Sequence, residues 1–250
     1  MCIRDRVTVV LSEKGFIRAA KGHDVNGDGL SYRSGDGFYM QANGKSNQSV
    51  YLLDSKGRSY SLLAHALPSA RGMGEPLTSK LKPEPGSGFV GVFMGDETRV
   101  LLASDAGYGF VTTLVHLACK QRNGKACLKV PEGARVLRPC VIMDKDTDRV
   151  AVATNVGRLL VFPASDLPEL PKGKGNKMIQ IPASKLKARE EYCVGMVVLR
   201  LDQDLVLYSG KRKCQIKSKD IDSFQGERGR RGSLLPRGFR QVDDIAIKKV

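Results

Sequence analysis

Arg99–Val115 reads RVLLASDAGYGFVTTLV. An apolar run, Val100–Ala103, meets the polar turn Ser104-Asp105-Ala106-Gly107, and a second β-prone run, Tyr108–Leu114, leaves it. Two such runs around a short glycine-containing loop predict a β-hairpin. The pattern recurs at Arg149–Val161, RVAVATNVGRLLV, where Arg149, Thr154 and Gly157 stand for Arg99, Ser104 and Gly107. Earlier copies are Val9–Ile17 and Tyr51–Tyr60, and a weaker one is Leu205–Ile216. The turn glycines Gly15, Gly57, Gly107, Gly157 and Gly210 are spaced 42, 50, 50 and 53 residues apart. That period is too long for a small solenoid rung and suits propeller-like blades of about four strands.

The 250 residues are enough for a sizeable core, and a hydrophobic fraction of 41% excludes a disordered chain. Charge is the second signal: 41 Lys+Arg against 26 Asp+Glu leave a net of +15. Such an excess points to a polyanionic partner, nucleic acid or an anionic membrane surface. No apolar run approaches the ~20 residues of a membrane-spanning helix. The N-terminal MCIRDR has no apolar core of a signal peptide, does not join the repeat, and reads as a leader foreign to a domain at residues 7–250. The six cysteines lack paired short spacing and form no CxxC, so neither a zinc site nor a redox motif is indicated. Reduced thiols are the expectation.

Two motif-like stretches fail their own chemistry. Asp24–Gly29, DVNGDG, imitates the start of a calcium loop, but the twelfth position is Gly35 where a bidentate Glu is required. Asn43-Gly44-Lys45-Ser46 imitates the end of a phosphate loop, but Tyr39 stands where its first glycine should be. Lys45 remains as a surface cation. Asp144–Asp148 reads as a solvated turn between strands, and Lys185–Tyr192 as a short helix. His23, His65 and His116 lie in three separate units without metal-ligand spacing. Tyr108 reads as core or rim packing.

The patterned feature is a glycine-and-cation box after each hairpin. The boxes are Arg71-Gly-Met-Gly74, Arg122-Asn-Gly-Lys125 with Lys120 before it, Lys172-Gly-Lys-Gly175 with Lys174 inside and Lys177 after it, and Arg228-Gly-Arg-Arg-Gly232 containing Arg230 and Arg231. The first unit offers only Lys21-Gly22. Glycine permits φ > 0 and close approach of backbone to a ligand, and adjacent cations suit phosphate oxygens. Residues 205–250 add Lys211, Arg212 and Lys213, and hold twelve cations against five acids, a net of +7. With 6% aromatics and no Trp, stacking on unpaired bases is a poor explanation; backbone contact with a duplex is better.

Four stretches carry a family resemblance: Leu67–Thr78 (LPSARGMGEPLT), Ala103–Phe110 (ASDAGYGF), Ser165–Pro182 (SDLPELPKGKGNKMIQIP) and Gly226–Ser233 (GERGRRGS). Through them Val7–Val250 resembles the C-terminal domain of the bacterial DNA topoisomerase IV A-subunit. The resemblance implies an all-β, five-bladed β-pinwheel with strands exchanged between neighbouring blades, whose outer rim binds and bends duplex DNA at the boxes named above. It implies a cytoplasmic, nucleoid-associated, ATP-dependent type IIA topoisomerase. In that enzyme the topoisomerase IV B-subunit is the partner, and two copies of the A-subunit dimerise through upstream domains, giving a heterotetramer. ATP and Mg2+ would be bound elsewhere, and the DNA-breaking tyrosine would lie upstream, so no cofactor, metal or catalytic residue is expected in this domain. The Q-R-R-G-G-K-G box of the gyrase A-subunit is absent from the first unit, which speaks against gyrase and full DNA wrapping. The C-terminal domain of a gyrase A-subunit, and a basic scaffold for protein partners, remain the competing readings.

Overall fold

The computed structural model describes residues 5–248. Residues 1–4 of the expected leader, and Lys249, lie outside them; Arg6 opens the first strand. The described residues form two compact units, one of residues up to Thr98 with Thr113–Leu128, the other of Arg99–Thr112 with the residues from Lys129 onward.

The first unit holds two antiparallel sheets. In one, β1 (Arg6–Ser12), β2 (Phe16–Lys21), β3 (Phe38–Lys45) and β6 (Glu75–Pro76) lie in the order β3-β1-β2-β6. In the next, β4 (Ser49–Asp54), β5 (Arg58–Leu63), β7 (Phe89–Met94) and β10 (Lys125–Ala126) lie in the order β10-β5-β4-β7. The second unit holds three. One is β11-β8-β9-β14, built from β8 (Arg99–Ser104), β9 (Tyr108–Thr113), β11 (Cys140–Ile142) and β14 (Asn176–Lys177). Another is β15-β12-β13-β18, built from β12 (Arg149–Thr154), β13 (Arg158–Pro163), β15 (Cys193–Leu199) and β18 (Ser233–Leu234). The last, β17-β16-β19, has three strands: β16 (Leu205–Ser209), β17 (Arg212–Ile216) and β19 (Asp244–Ile247). The architecture is all-β and of the β-pinwheel type, and the one α-helix among the described residues is α1 (Ala183–Lys187), shorter than the expected helix.

All five expected hairpins form, as β1–β2, β4–β5, β8–β9, β12–β13 and β16–β17. Each of the first four turns closes by the same bond: the glycine N–H donates to the carbonyl three residues earlier, Gly15 to Ser12, Gly57 to Asp54, Gly107 to Ser104 and Gly157 to Thr154, at 3.0–3.1 Å. Those glycines have φ of 79°, 77°, 82° and 73°, the left-handed region that a three-residue hairpin loop demands. A bulge before the turn recurs at Leu11/Ser12, Leu53/Asp54 and Ala153/Thr154, where the pairing with β3, β7 and β15 slips register. The first hairpin strands are buried along nearly their whole length on both faces, so Val100–Ala103 and Val150–Ala153 read as unbroken apolar runs rather than alternating ones.

The core of the first unit joins Val9, Leu11, Ile17, Leu52, Tyr60, Leu77 and Val92. The second unit has two clusters, one around Leu101, Val152, Phe162 and Met178, the other around Leu159, Val161, Leu207 and Ile221. Asp144–Asp148 differs from its reading as a fully solvated turn. Asp148 is buried, because its Oδ2 accepts the Met143 and Asp144 amides at 2.8 and 3.1 Å.

Candidate nucleic-acid interface

The fourth strand of each four-stranded sheet arrives from beyond the following hairpin: β6 on β2, β10 on β5, β14 on β9 and β18 on β13. Each of these short strands begins where a glycine-and-cation box ends. The boxes are therefore the loops by which strands are exchanged. The exchanged segment is held from both sides. Its amide, from Leu77, Leu128, Met178 or Leu235, donates to the carbonyl of the turn glycine, Gly15, Gly57, Gly107 or Gly157, at 2.7–3.0 Å.

This placement changes the physical role of the box glycines. Gly74, Gly124, Gly175 and Gly232 have φ of 82°, 67°, 78° and 73°. A Cβ would stand 2.7 Å from the Ile17 carbonyl at Gly74, 2.8 Å from the Ser59 carbonyl at Gly124 and 2.8 Å from the Leu159 carbonyl at Gly232; at Gly175 it would overlap the Gly109 carbonyl. Sequence reading assigns these glycines to close approach by a phosphate. The geometry assigns the last glycine of each box to close approach by the strand that receives it.

Neighbouring segments are strapped together by a second repeated bond. Just after one box, an amide donates to a carbonyl of the next: Lys82 to Arg122 at 2.7 Å, Lys129 to Gly173 at 2.8 Å, and Gln180 to Arg230 at 2.9 Å. Side chains add to it. The Arg122 guanidinium donates to the Lys80 and Ser79 carbonyls, and Arg228 to the Lys177 carbonyl. Within the second unit the box at Lys172–Gly175 is thus laid beside the one at Arg228–Gly232. Within the first, the exit of the Arg71 box meets the Arg122 box.

The cations divide by what they already hold. Arg71, Lys120, Lys172, Lys174 and Lys177 are exposed at their boxes, with Lys174 3.8 Å over the Tyr108 ring. Arg122 is exposed though tethered, and Lys125 is half-buried at the start of β10. Arg230 is 71% exposed and makes only a surface pair with Glu227. Arg228 is half-buried, its Nε enclosed without a partner. Arg231 donates to both carboxylate oxygens of the fully buried Glu191 and to the Gln180 carbonyl. Three arginines in one glycine-bounded loop, Arg228, Arg230 and Arg231, suggest from sequence that all three reach a single phosphate track; in the structure Arg231 is instead turned inward onto Glu191. Lys21 and Lys45 are exposed but belong to no exchanged loop; pairing with Val7 and Arg6 brings them to one end of the first sheet. Lys211, Arg212 and Lys213 crowd the last hairpin turn, Arg212 over Phe239 and Lys213 over Tyr208, at the β17 edge that receives no fourth strand among the described residues. Charge on an open edge also discourages stray strand pairing.

Sequence reasoning missed the residues that grip the boxes. Arg58 donates to the Asn123 and Gly124 carbonyls, and Arg158 to the Gly232 carbonyl, at 2.8–3.0 Å. Both directly follow a turn glycine, and Tyr108 in the same position takes the Lys174 ammonium. Arg18 donates to Gly72 from two residues further along its strand. The Gly-Arg pairs Gly57-Arg58 and Gly157-Arg158 were a legible signal. Glu191 left none, because its partner lies 40 residues away.

Against this geometry stand the comparisons with known proteins. The family described as DNA gyrase C-terminal domain, beta-propeller, matches residues 98–139 and 148–200. The chain is 52% identical over 242 residues to the DNA topoisomerase 4 A-subunit of Pseudomonas aeruginosa, covering 96% of this chain and 32% of that protein. With the protein of that name from Escherichia coli K12 it is 46% identical over 242 residues, with the same coverage. It thus spans about a third of the length of the curated relatives it matches. The solved structure of the E. coli ParC C-terminal domain superposes with a TM-score of 0.87 at 45% identity, over 98% of this chain and 100% of that one. A DNA gyrase A C-terminal domain, at 13% identity and a TM-score of 0.66 over 98% of this chain and 83% of that one, shares the fold.

Proposed function

The chain belongs to the family of the C-terminal domain of the DNA topoisomerase IV A-subunit, and from that premise we propose that it binds and bends duplex DNA. In that role it steers crossed duplexes to an enzyme that decatenates and relaxes DNA at the expense of ATP. The observation that carries the reading is the strapping of successive cationic boxes side by side, Lys172–Lys177 against Arg228–Arg230, on loops whose path is fixed by strand exchange. A fixed row of cations neutralises successive phosphates and reads no bases, so sequence preference is weak. Bending follows if the duplex tracks from one box to the next, its deformation offset by the added contacts.

The chain itself supplies no bond-breaking group in this reading. ATP, Mg2+, the B-subunit partner and a second copy of the A-subunit engage other parts of the enzyme, in the cytoplasm on the nucleoid. The test is a gel shift and a salt series on this chain. Duplex DNA of unrelated sequences should bind with similar affinity, log K should fall steeply with log salt by about 0.9 per neutralised phosphate, and no cleavage or relaxation should accompany binding. A salt-insensitive isotherm, or one confined to a single sequence, overturns the proposal.

A further inference from the structure

Glu191 is a fully buried carboxylate in a chain with a large excess of cations. It touches none of the exposed box cations. Burying a carboxylate is costly and is tolerated only with a well-aligned partner; an apolar pair of similar volume would often serve stability as well. What such a pair adds is geometry. Arg231 meets Glu191 in a two-pronged contact, Nη2 to Oε2 at 2.6 Å with Nη1 on Oε1, and the same Nη1 donates to the Gln180 carbonyl at 2.9 Å.

Glu191 is itself immobilised. Beside it, Tyr192 and Asn155 exchange two bonds, the Tyr192 amide to Asn155 Oδ1 at 2.9 Å and the Asn155 amide to the Tyr192 carbonyl at 3.0 Å. Two residues before, Arg189 is held on the buried Asp105 at 2.8 Å. The carboxylate cannot follow a moving Arg231; it fixes it. The exchanged strand does not need this fixing, because Leu159 pairs with Ser233 and Leu235 is bonded to Gly157. The part it braces is the loop Glu227–Arg231, which carries Arg230 outward and is otherwise held by single bonds, Arg228 to Lys177, Gly229 to Met178 and Gln180 to Arg230.

We propose that Glu191 is a positioning residue for DNA binding: through Arg231 it holds the Arg228–Gly232 box in the conformation that presents Arg230 outward, on the same loop whose Arg228 is bonded to Lys177. The proposal rests on the duplex-binding reading above. Glu191 also offsets like charge: Arg158 grips the same box at Gly232, where the Arg231 charge opposes its own and the Glu191 carboxylate favours it. Without the carboxylate, the repulsion between Arg158 and Arg231 is uncompensated. The consequence runs against charge counting. Glu191→Gln removes an acid and raises the net charge by one, so electrostatics alone gives tighter binding to a polyanion. Loss of positioning gives weaker binding, because the loop must then be ordered on the DNA.

The experiment uses the 250-residue chain and a labelled mixed-sequence duplex, titrated at several salt concentrations, with amide exchange and thermal melting in parallel. Glu191→Gln should bind about fivefold more weakly than the parent at fixed salt. Exchange of the Gly229 amide, which donates to the Met178 carbonyl, should accelerate while that of β12 does not. Arg231→Lys keeps the parent's charge but loses the planar fork, and should shift both readouts in the same direction; it serves where Glu191→Gln melts too low to titrate. Arg230→Ala is the control for the path: it should weaken binding and lower the salt slope by about 0.9. If Arg230→Ala weakens binding while Glu191→Gln or Arg231→Lys binds as tightly as the parent, the positioning role is wrong and the duplex-binding reading stands. If Arg230→Ala changes neither affinity nor slope, this box is off the DNA path and the proposal falls with it.

Discussion

The Gly157 carbonyl accepts the Leu235 amide at 2.9 Å, joining a hairpin turn to a segment 78 residues further along the chain. The same bond joins Gly15 to Leu77, Gly57 to Leu128 and Gly107 to Met178. Strand exchange is thus built from one repeated contact between a turn glycine and the third residue after a cationic box. Each box is pinned to a sheet other than the one its own hairpin belongs to, and that pinning gives a surface loop a defined course.

Replacing Gly175 by Ala should be among the most damaging single changes in the second unit. Its φ of 78° disfavours any side chain, and a Cβ there would overlap the Gly109 carbonyl. Strain in the left-handed region costs about 1–2 kcal/mol, and the backbone displacement adds to it, so a loss of at least about 2 kcal/mol is expected in urea unfolding. Gly210→Ala, at φ 57° with open space around it, isolates the strain alone and should cost about 1 kcal/mol.

Arg230 and Arg231 are neighbours with opposite expected phenotypes. Arg231→Ala strands the buried Glu191 and should cost about 3–5 kcal/mol of stability. Arg230→Ala removes an exposed pair with Glu227 and should change stability by no more than about 0.5 kcal/mol, while lowering affinity for duplex DNA. Denaturant unfolding and DNA titration of both single variants separate the two roles; equal loss of stability would contradict the division.

Cys127 should be chemically quiet in the folded chain. Burial pushes its thiol up to about 11, so at pH 8 only about one molecule in a thousand carries the thiolate. Iodoacetamide at pH 8 should modify it at a rate set by unfolding, read by mass spectrometry of digests with and without denaturant. Rapid native labelling at Cys127 would refute this.

Acid should loosen the last hairpin. The Ser218 amide and then the Gln215 side chain hold the Asp204 carboxyl below its ordinary range. A depressed carboxylate contributes stability above its unfolded value of about 4, and that contribution is lost as pH falls through the folded value. Asp204→Asn should therefore flatten the decline of stability below about pH 4 while leaving the neutral-pH slope unchanged. An unaltered acid profile, followed by urea unfolding at successive pH values, would count against it.

The hairpins and their period were legible in the chain because each is made locally. An apolar run, a Ser, Asp or Thr at the bend, and a glycine three residues later suffice to close the turn, as Ser12–Gly15 and Thr154–Gly157 do. The boxes were legible as composition, glycine beside cation. Their partners were not. That β6 belongs on β2 and β18 on β13 is decided by burial of Leu77 and Leu235 in cores assembled from distant segments. That Arg230 faces outward while Arg231 turns in is decided by Glu191, a buried charge 40 residues away with no local signature. A sequence states which residues are cationic; only the packing around each guanidinium determines which of them remain available to another molecule, because a charge already paired in the interior has little left to offer at the surface.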